Sequence, residues 1–425
     1  MKLRIDCGSF RRHESSRVSW GVSMVAFRRE DAPLFLAGAA AVCSVVSIAA
    51  FEILMAVALV AILIARQQWR IPPIWAPLAL FIAGTVLSAV VTGHLRDGWP
   101  QIKKFYVYLM LFLVTTAFQS VRQVRWLAMI IALAATLSAA WGLSQFVEKY
   151  QDAEDAHKDF YLAYVGDRIT GFMDHWMTFS GEMMMALLLI AAIVFFSRDR
   201  RGVWWLAGAG AIIGVALIAA ETRSMWFATA AGAIFLLWFW HRWALIALPV
   251  MALALVLINP FGIGDRAISI FRPHGDTDSN AHRSITRRIG YKMIAAHPWF
   301  GIGPEQVGKE YMKYLPPDTP MPLPTGYYGH LHNIYIHYAA ELGIPAALAM
   351  TAMFARALFD FARALRRGVN SEARWVLLAA IAVTIGILAG GLFEKNIGDS
   401  EVLAMFLAIL GCGYVAVREV ETCKV

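Results

Sequence analysis

Long apolar runs broken by short polar turns dominate the chain. Twelve of them, near 32–47, 49–65, 74–92, 103–118, 125–147, 177–197, 203–220, 224–240, 243–258, 333–355, 375–392 and 400–417, approach or reach the roughly 20 residues of helix that span a bilayer. They predict an all-α, polytopic membrane protein. Between the first two runs little polar sequence separates Ile48 from Glu52, and merging them would invert everything downstream. One polar interval, 259–332, is far longer than the other turns. Irregular backbone finds no hydrogen-bond partner in hydrocarbon, so a segment this long belongs in water or against protein. The expected division is therefore a basic arm at 1–31, nine spans within 32–258, the long loop at 259–332, three spans within 333–417 and a tail at 418–425.

The loop has a pattern of its own. In Ser284 to His297 the apolar residues Ile285, Ile289 and Met293 recur at four-residue steps, which predicts an amphipathic helix. Adjacent helical residues point about 100° apart, so Arg287 and Arg288 cannot both face one ligand. Arg288, with Lys292 one turn on, borders the apolar stripe and is expected to look inward; Arg287 is expected to face water. After Pro298, Phe300, Gly301 and Gly303, a crossing with Pro316, Pro317, Pro320, Pro322 and Pro324 leads to His330-Leu331-His332-Asn333 at the mouth of the next span.

Composition and charge fix the orientation. Hydrophobic residues make up 59% and charged residues 16% of the 425. The formal charge of +8 does not point to nucleic acid, because the basic residues are scattered between apolar runs instead of gathered on one surface. With the N-terminus inside, 22 of the 38 Lys and Arg fall on the inner side. Long loops translocate regardless of charge, so the eight in 259–332 are set aside, leaving 22 inside against 8 outside. Both termini are then expected inside and the long loop outside. The arm before residue 32 is basic without an apolar core and reads as a cytoplasmic arm, not a cleaved signal. Cys7, Cys43, Cys412 and Cys423 place no pair in the outer loop, so a disulfide framework is not expected.

Candidate chemistry sits at the outer ends of the spans. Arg223, in Glu221-Thr222-Arg223-Ser224, lies beside hydrocarbon on both sides, where a charge is costly unless paired or facing a wet cavity. Two kinds of reading stand: a snorkelling arginine or one paired with Glu221, against an anion clamp whose planar fork matches phosphate. His332 either caps the helix opening at Asn333 or acts as general base, since neutral imidazole accepts a proton near physiological pH. A zinc site on His330, His332 and His337 is disfavoured: the acids nearby are Asp318 and Glu341, without cysteine or a helical HExxH pair. Neither metal nor cofactor is expected, with arginine offsetting the charge of a departing diphosphate. The turn Glu394 to Glu401 is either a solvated hairpin or brings Asp399 to His332 or to an acceptor hydroxyl.

Three of these pieces in order resemble the bacterial O-antigen ligases, which share a region with O-antigen polymerases and bacterial protein O-oligosaccharyltransferases. They are Arg223-Ser224-Met225-Trp226 opening a span, the run from Arg288 through His297-Pro298-Trp299-Phe300-Gly301-Ile302-Gly303, and His332-Asn333 leading to Glu341-Leu342-Gly343-Ile344-Pro345. Arg168-Ile169-Thr170-Gly171 is similar to a further external element of the family. The resemblance implies a GT-C-like glycosyltransferase of the bacterial inner membrane, with its active site on the periplasmic face. It implies a donor polysaccharide on undecaprenyl diphosphate, an outer-core sugar of lipid A-core as acceptor, no metal, and inversion at the anomeric carbon. By position, His332 would be the base and Arg223 and Arg288 the diphosphate clamp, with Arg168, Asn333 and Asp399 as further candidates and Lys103 and Lys104 nearby. A polymerase or protein O-oligosaccharyltransferase fits the same pattern. A transporter would place ionisable residues deep within spans, whereas here the charges gather at helix ends.

Overall fold

The computed structural model describes residues 29–272, 279–368 and 371–422. Most of the N-terminal arm, with Cys7, and the last three residues, with Cys423, lie outside the described residues. Among these residues every regular element is a helix. In chain order they are α1 (Ala32–Cys43), α2 (Ile48–Ile64), α3 (Trp75–Val91), α4 (Trp99–Lys103), α5 (Leu109–Ala117), α6 (Val121–Asp155), α7 (Phe160–Tyr164), α8 (Trp176–Phe196) and α9 (Val203–Ala219). Then follow α10 (Arg223–Trp240), α11 (Ala247–Ile258), α12 (Ile263–Ile268), α13 (Asn280–Ala296), α14 (Val307–Glu310), α15 (Ile334–Leu342), α16 (Ile344–Arg366), α17 (Ser371–Gly390) and α18 (Ser400–Thr422).

Each predicted apolar stretch lies on helix, but not always on one unbroken rod. Among the described residues five helices are long and apolar enough by themselves to cross a membrane: Val121–Asp155, Trp176–Phe196, Ile344–Arg366, Glu372–Gly390 and Ser400–Thr422. Others are shorter or interrupted. The stretch 103–118 is split by the 3-10 segment Lys104–Tyr108, and Arg242–Ile258 meets Pro260–Ile268 at a bend of 110°. The helix α6 continues past the expected end at 147, so Asp152, Glu154 and Asp155 ride on its last turns. Its start is fixed by a capping box between Ser120 and Gln123.

The centre of the bundle is α8, α17 and α18, whose apolar windows are 72%, 78% and 83% buried. Around it the outer helices turn Ile53, Leu63, Leu80 and Val90 outward, as lipid-facing helices do. Lipid is as apolar as these side chains, so close packing, not exclusion from water, holds such helices together.

Two contacts seat the long loop on the bundle. First, the predicted stripe Ile285, Ile289 and Met293 of α13 is buried against Leu331, Ile336 and Ala340. Second, the chain breaks between α15 and α16 at Gly343, whose φ is +85°, and the segment Pro298–Gly303 fills the break. There the amides of Ile302 and Gly303 donate to the carbonyls of Ala340 and Glu341 at 2.9 Å, Ile344 donates to Pro298 O at 2.8 Å, and Ser88 Oγ donates to Phe300 O at 2.6 Å. A Cβ at Gly343 would lie 2.1 Å from Trp299 O, and one at Gly301 2.2 Å from the Glu341 carbonyl. Only glycine permits both that backbone conformation and that approach. The loop is thereby held along the buried face of α13 and again just past its C-terminal end.

Candidate active site

Helix ends that were far apart in sequence meet at one end of the bundle around a cavity of about 630 Å3. Its lining includes Lys104, Arg168, Thr178, Arg223, Arg266, His282, Arg283, Tyr327, His330, His332, Glu394, Lys395 and Asp399. The volume lies in the range of small-molecule sites. Six cationic side chains line it against three carboxylates, those of Glu305, Glu394 and Asp399. The cavity therefore favours an anion.

His332 sits where the loop enters α15. Its backbone is left-handed, with φ +47°, because Asn333 must turn to cap α15, its Oδ1 accepting from Ile336 N at 2.9 Å. The imidazole Nδ1 lies 3.0 Å from Glu394 Oε2, and Nε2 lies 3.3 Å from Tyr327 O. A carboxylate can only accept, so Glu394 selects the Nδ1–H tautomer and leaves the Nε2 lone pair to take a proton. Once protonated, Nε2 finds an acceptor in the Tyr327 carbonyl. Glu394 is itself buried and also pairs with Arg283 through Oε1. Burial opposes its charge, yet Arg283 and His332 outweigh burial and hold the carboxyl below its ordinary value of 4.5. Arg283, Glu394 and His332 thus form a continuous chain of polar contacts.

Two further imidazoles surround His332, with ring centroids at 5.0 Å for His282 and 4.1 Å for His330. Burial, then the neighbouring His332, pushes His282 down to about 4 and His330 down to about 2. Both are neutral at physiological pH. Among the described residues no three His, Cys, Asp or Glu side chains are grouped to hold a metal ion.

The four arginines come from four segments. Arg223, the first residue of α10, donates from Nη1 to Ser269 Oγ and from Nη2 to Asn280 Oδ1, both at 2.8 Å. Arg168 and Arg266 converge on Glu221, whose carbonyl accepts from Arg168 Nη1 at 3.2 Å and Arg266 Nε at 3.1 Å. The Arg168 guanidinium also lies over the Trp176 ring, 4.7 Å from its centroid. Burial and then the charge of Arg266 lower Arg168 to about 9, against the opposing pull of Glu221. An anion between the two arginines would relieve their repulsion.

Of the residues singled out from sequence, His332, Arg223, Arg168, Asp399 and Lys104 line this cavity; Arg288, Asn333 and Lys103 do not. Arg288 is exposed and grips Asp318 from Nη2 at 2.6 and 2.8 Å. The reason is helical geometry. The first turn of α13 borders the cavity, with His282 and Arg283 in its lining, and five residues further on Arg288 is about 7.5 Å along the axis and rotated away. Asn333 is occupied by its capping role and by Leu392 O, to which Nδ2 donates at 2.9 Å. Asp399 accepts from Thr178 Oγ1 at 3.0 Å, and it is Glu394, not Asp399, that touches His332. Burial raises the Asp399 carboxyl above its ordinary value. The residues that sequence reasoning passed over are Arg266, Arg283, His282 and Glu394. Asp276-Thr277-Asp278, an acid pair with the spacing of metal-dependent sugar transferases, was also passed over and lies outside the described residues.

Residues 208–351 match a family model described as Wzy_C, O-Antigen ligase. The match contains Arg223, Arg266, Arg283 and His332; Arg168, Glu394 and Asp399 lie beyond it. No curated protein matches the chain.

Proposed function

We propose that the protein transfers O-antigen polysaccharide from undecaprenyl diphosphate to an outer-core sugar of lipid A-core, a reading supported by the match of residues 208–351 to the O-antigen ligase family model. The observation that carries this reading is His332, held by buried Glu394, in one cavity with Arg168, Arg223, Arg266 and Arg283. In the proposed step the acceptor hydroxyl gives its proton to His332 Nε2 and its oxygen bonds to the anomeric carbon. The bond from that carbon to the diphosphate oxygen breaks, and the electron pair leaves with undecaprenyl diphosphate. Arg168, Arg223 and Arg266 hold the diphosphate and offset the charge that develops there. A single displacement of this kind inverts the anomeric centre. Arg283 acts on Glu394 and orients the base.

The twelve-span topology with both termini cytoplasmic, and the cavity on the periplasmic face of a bacterial inner membrane, belong to the same proposal. The Lys and Arg distribution supports it, and so does the placing of the cavity at the end of the bundle formed by the predicted outer loops.

Purified protein in liposomes, given lipid-linked polysaccharide and lipid A-core, should yield full-length lipopolysaccharide. His332→Ala, folded normally, should leave the lipid-linked donor unconsumed; retained transfer would sink the assignment of the base. Lengthening of the lipid-linked chain without use of lipid A-core would indicate a polymerase instead.

A further inference from the structure

A second polar cavity, of about 450 Å3, lies at the opposite end of the bundle. Its walls are the turn before α3, one face of the C-terminal half of α16, and the last turns of α18. On α16, Arg356, Asp360, Arg363 and Arg367 follow one another at three- and four-residue steps and so form one line along the cavity. Arg70 and Arg418 close it from the other two walls, giving five guanidiniums against the carboxylates of Asp360 and Glu421.

The partners divide these cations unequally. Arg356 Nε lies 3.0 Å from both oxygens of Asp360, Arg367 Nη1 lies 3.2 Å from Glu421 Oε1, and Arg418 Nη1 donates to Thr115 O at 2.9 Å. The guanidiniums of Arg70 and Arg363 have no hydrogen bond or ion pair to any of the described residues. Arg70 is nevertheless fixed by its backbone, which donates to Thr116 Oγ1 at 3.1 Å and accepts from Thr115 Oγ1 at 2.8 Å. Two planar donor forks thus face a cavity that already carries excess positive charge, and phosphate matches such forks in shape and sign. At its rim Ile71, itself in the lining, is 61% exposed, and Phe359, one turn before Arg363 on α16, is 58% exposed.

We propose that this cavity binds a phosphate group, presented by the headgroup of an anionic phospholipid whose acyl chains lie against that rim. Basic pockets between membrane helices recognise such headgroups through this chemistry. The site shares no residue with the candidate active site.

The test is native mass spectrometry of the full-length protein released from nanodiscs of phosphatidylglycerol or phosphatidylcholine, with thermal stability measured in parallel against inorganic phosphate. Wild-type protein should retain phosphatidylglycerol in preference to phosphatidylcholine, and the Arg70→Gln, Arg363→Gln double variant should retain it about thirtyfold more weakly. Both side chains are exposed, and Arg363→Gln alone, expected about fivefold weaker, serves if the double variant does not fold. Stabilisation of wild type but not variant by inorganic phosphate, with no lipid preference, would keep the phosphate site and make its ligand a free anion. Equal retention of both lipids and equal response to phosphate by wild type and folded variant would overturn the proposal.

Discussion

Glu394→Gln separates the orienting carboxylate from the base and from the diphosphate clamp. The substitution keeps the side chain's size, so the amide oxygen can still accept from His332 Nδ1–H, while the negative charge beside the nascent imidazolium is removed. At the observed 3.0 Å between Nδ1 and Oε2, an effective dielectric constant of about 20 puts the lost attraction at about 5.5 kcal/mol as a ceiling. Only the fraction of charge developed on the imidazole in the transition state counts, and the reaction in a wet cavity discounts it further. The expected loss in kcat is about 100- to 1,000-fold. Because Glu394 does not touch the donor's phosphates in the proposed arrangement, KM for the lipid-linked donor should stay within about threefold. The assay is initial-rate transfer in liposomes over a range of donor, with circular dichroism and melting temperature confirming the fold. Glu394→Ala is the poorer probe: both substitutions leave Arg283 without its carboxylate, because the glutamine amide NH2 turned toward Arg283 only donates, but alanine also removes the acceptor of His332 Nδ1–H. If Glu394→Gln keeps more than a third of wild-type kcat, or raises KM while sparing kcat, the orienting role is wrong.

Further outcomes follow from the same geometry. Arg266→Ala should raise donor KM or lower kcat/KM by about 10- to 100-fold, whereas Arg288→Ala should change transfer by less than about twofold because that side chain pairs with Asp318 in solvent; steady-state kinetics of the two variants side by side decides it. Gly343→Ala should lower stability by about 3 kcal/mol through its positive φ and the close Trp299 carbonyl, read as a drop in melting temperature. Glu394 has a folded value below the ordinary 4.5, so its contribution to stability is fully present above that value and is lost as pH falls through the depressed one. Melting curves should therefore lose this acid-side dependence in Glu394→Gln. Transfer should persist in a chelator such as EDTA; loss there with recovery on adding magnesium would direct attention to Asp276 and Asp278.

Local pattern made much of this molecule readable. The amphipathic step of Ile285, Ile289 and Met293 announced the helix and its buried face. Arg223 and His332 stood out because a charge at the mouth of an apolar run has to be accounted for. Arg288 shows where such reasoning fails. It was expected to look inward from the margin of the apolar stripe but is exposed against Asp318, because period alone does not say which turn of α13 reaches the cavity. Asp399 lines the cavity but does not reach His332: it shares a turn with Glu394, and sequence cannot rank two acids five residues apart for contact with a histidine over sixty residues away.

Helix formation and the apolar face of each segment depend on residues three or four apart, and those features were determined by the chain's order of residues alone. The partnership of Glu394 with His332, the gathering of Arg168, Arg266 and Arg283 around one space, and the exclusion of Arg288 from it depend on how separate helices pack. That packing is the sum of many weak side-chain contacts spread over the whole bundle, so the tertiary structure alone decided which charges share a cavity.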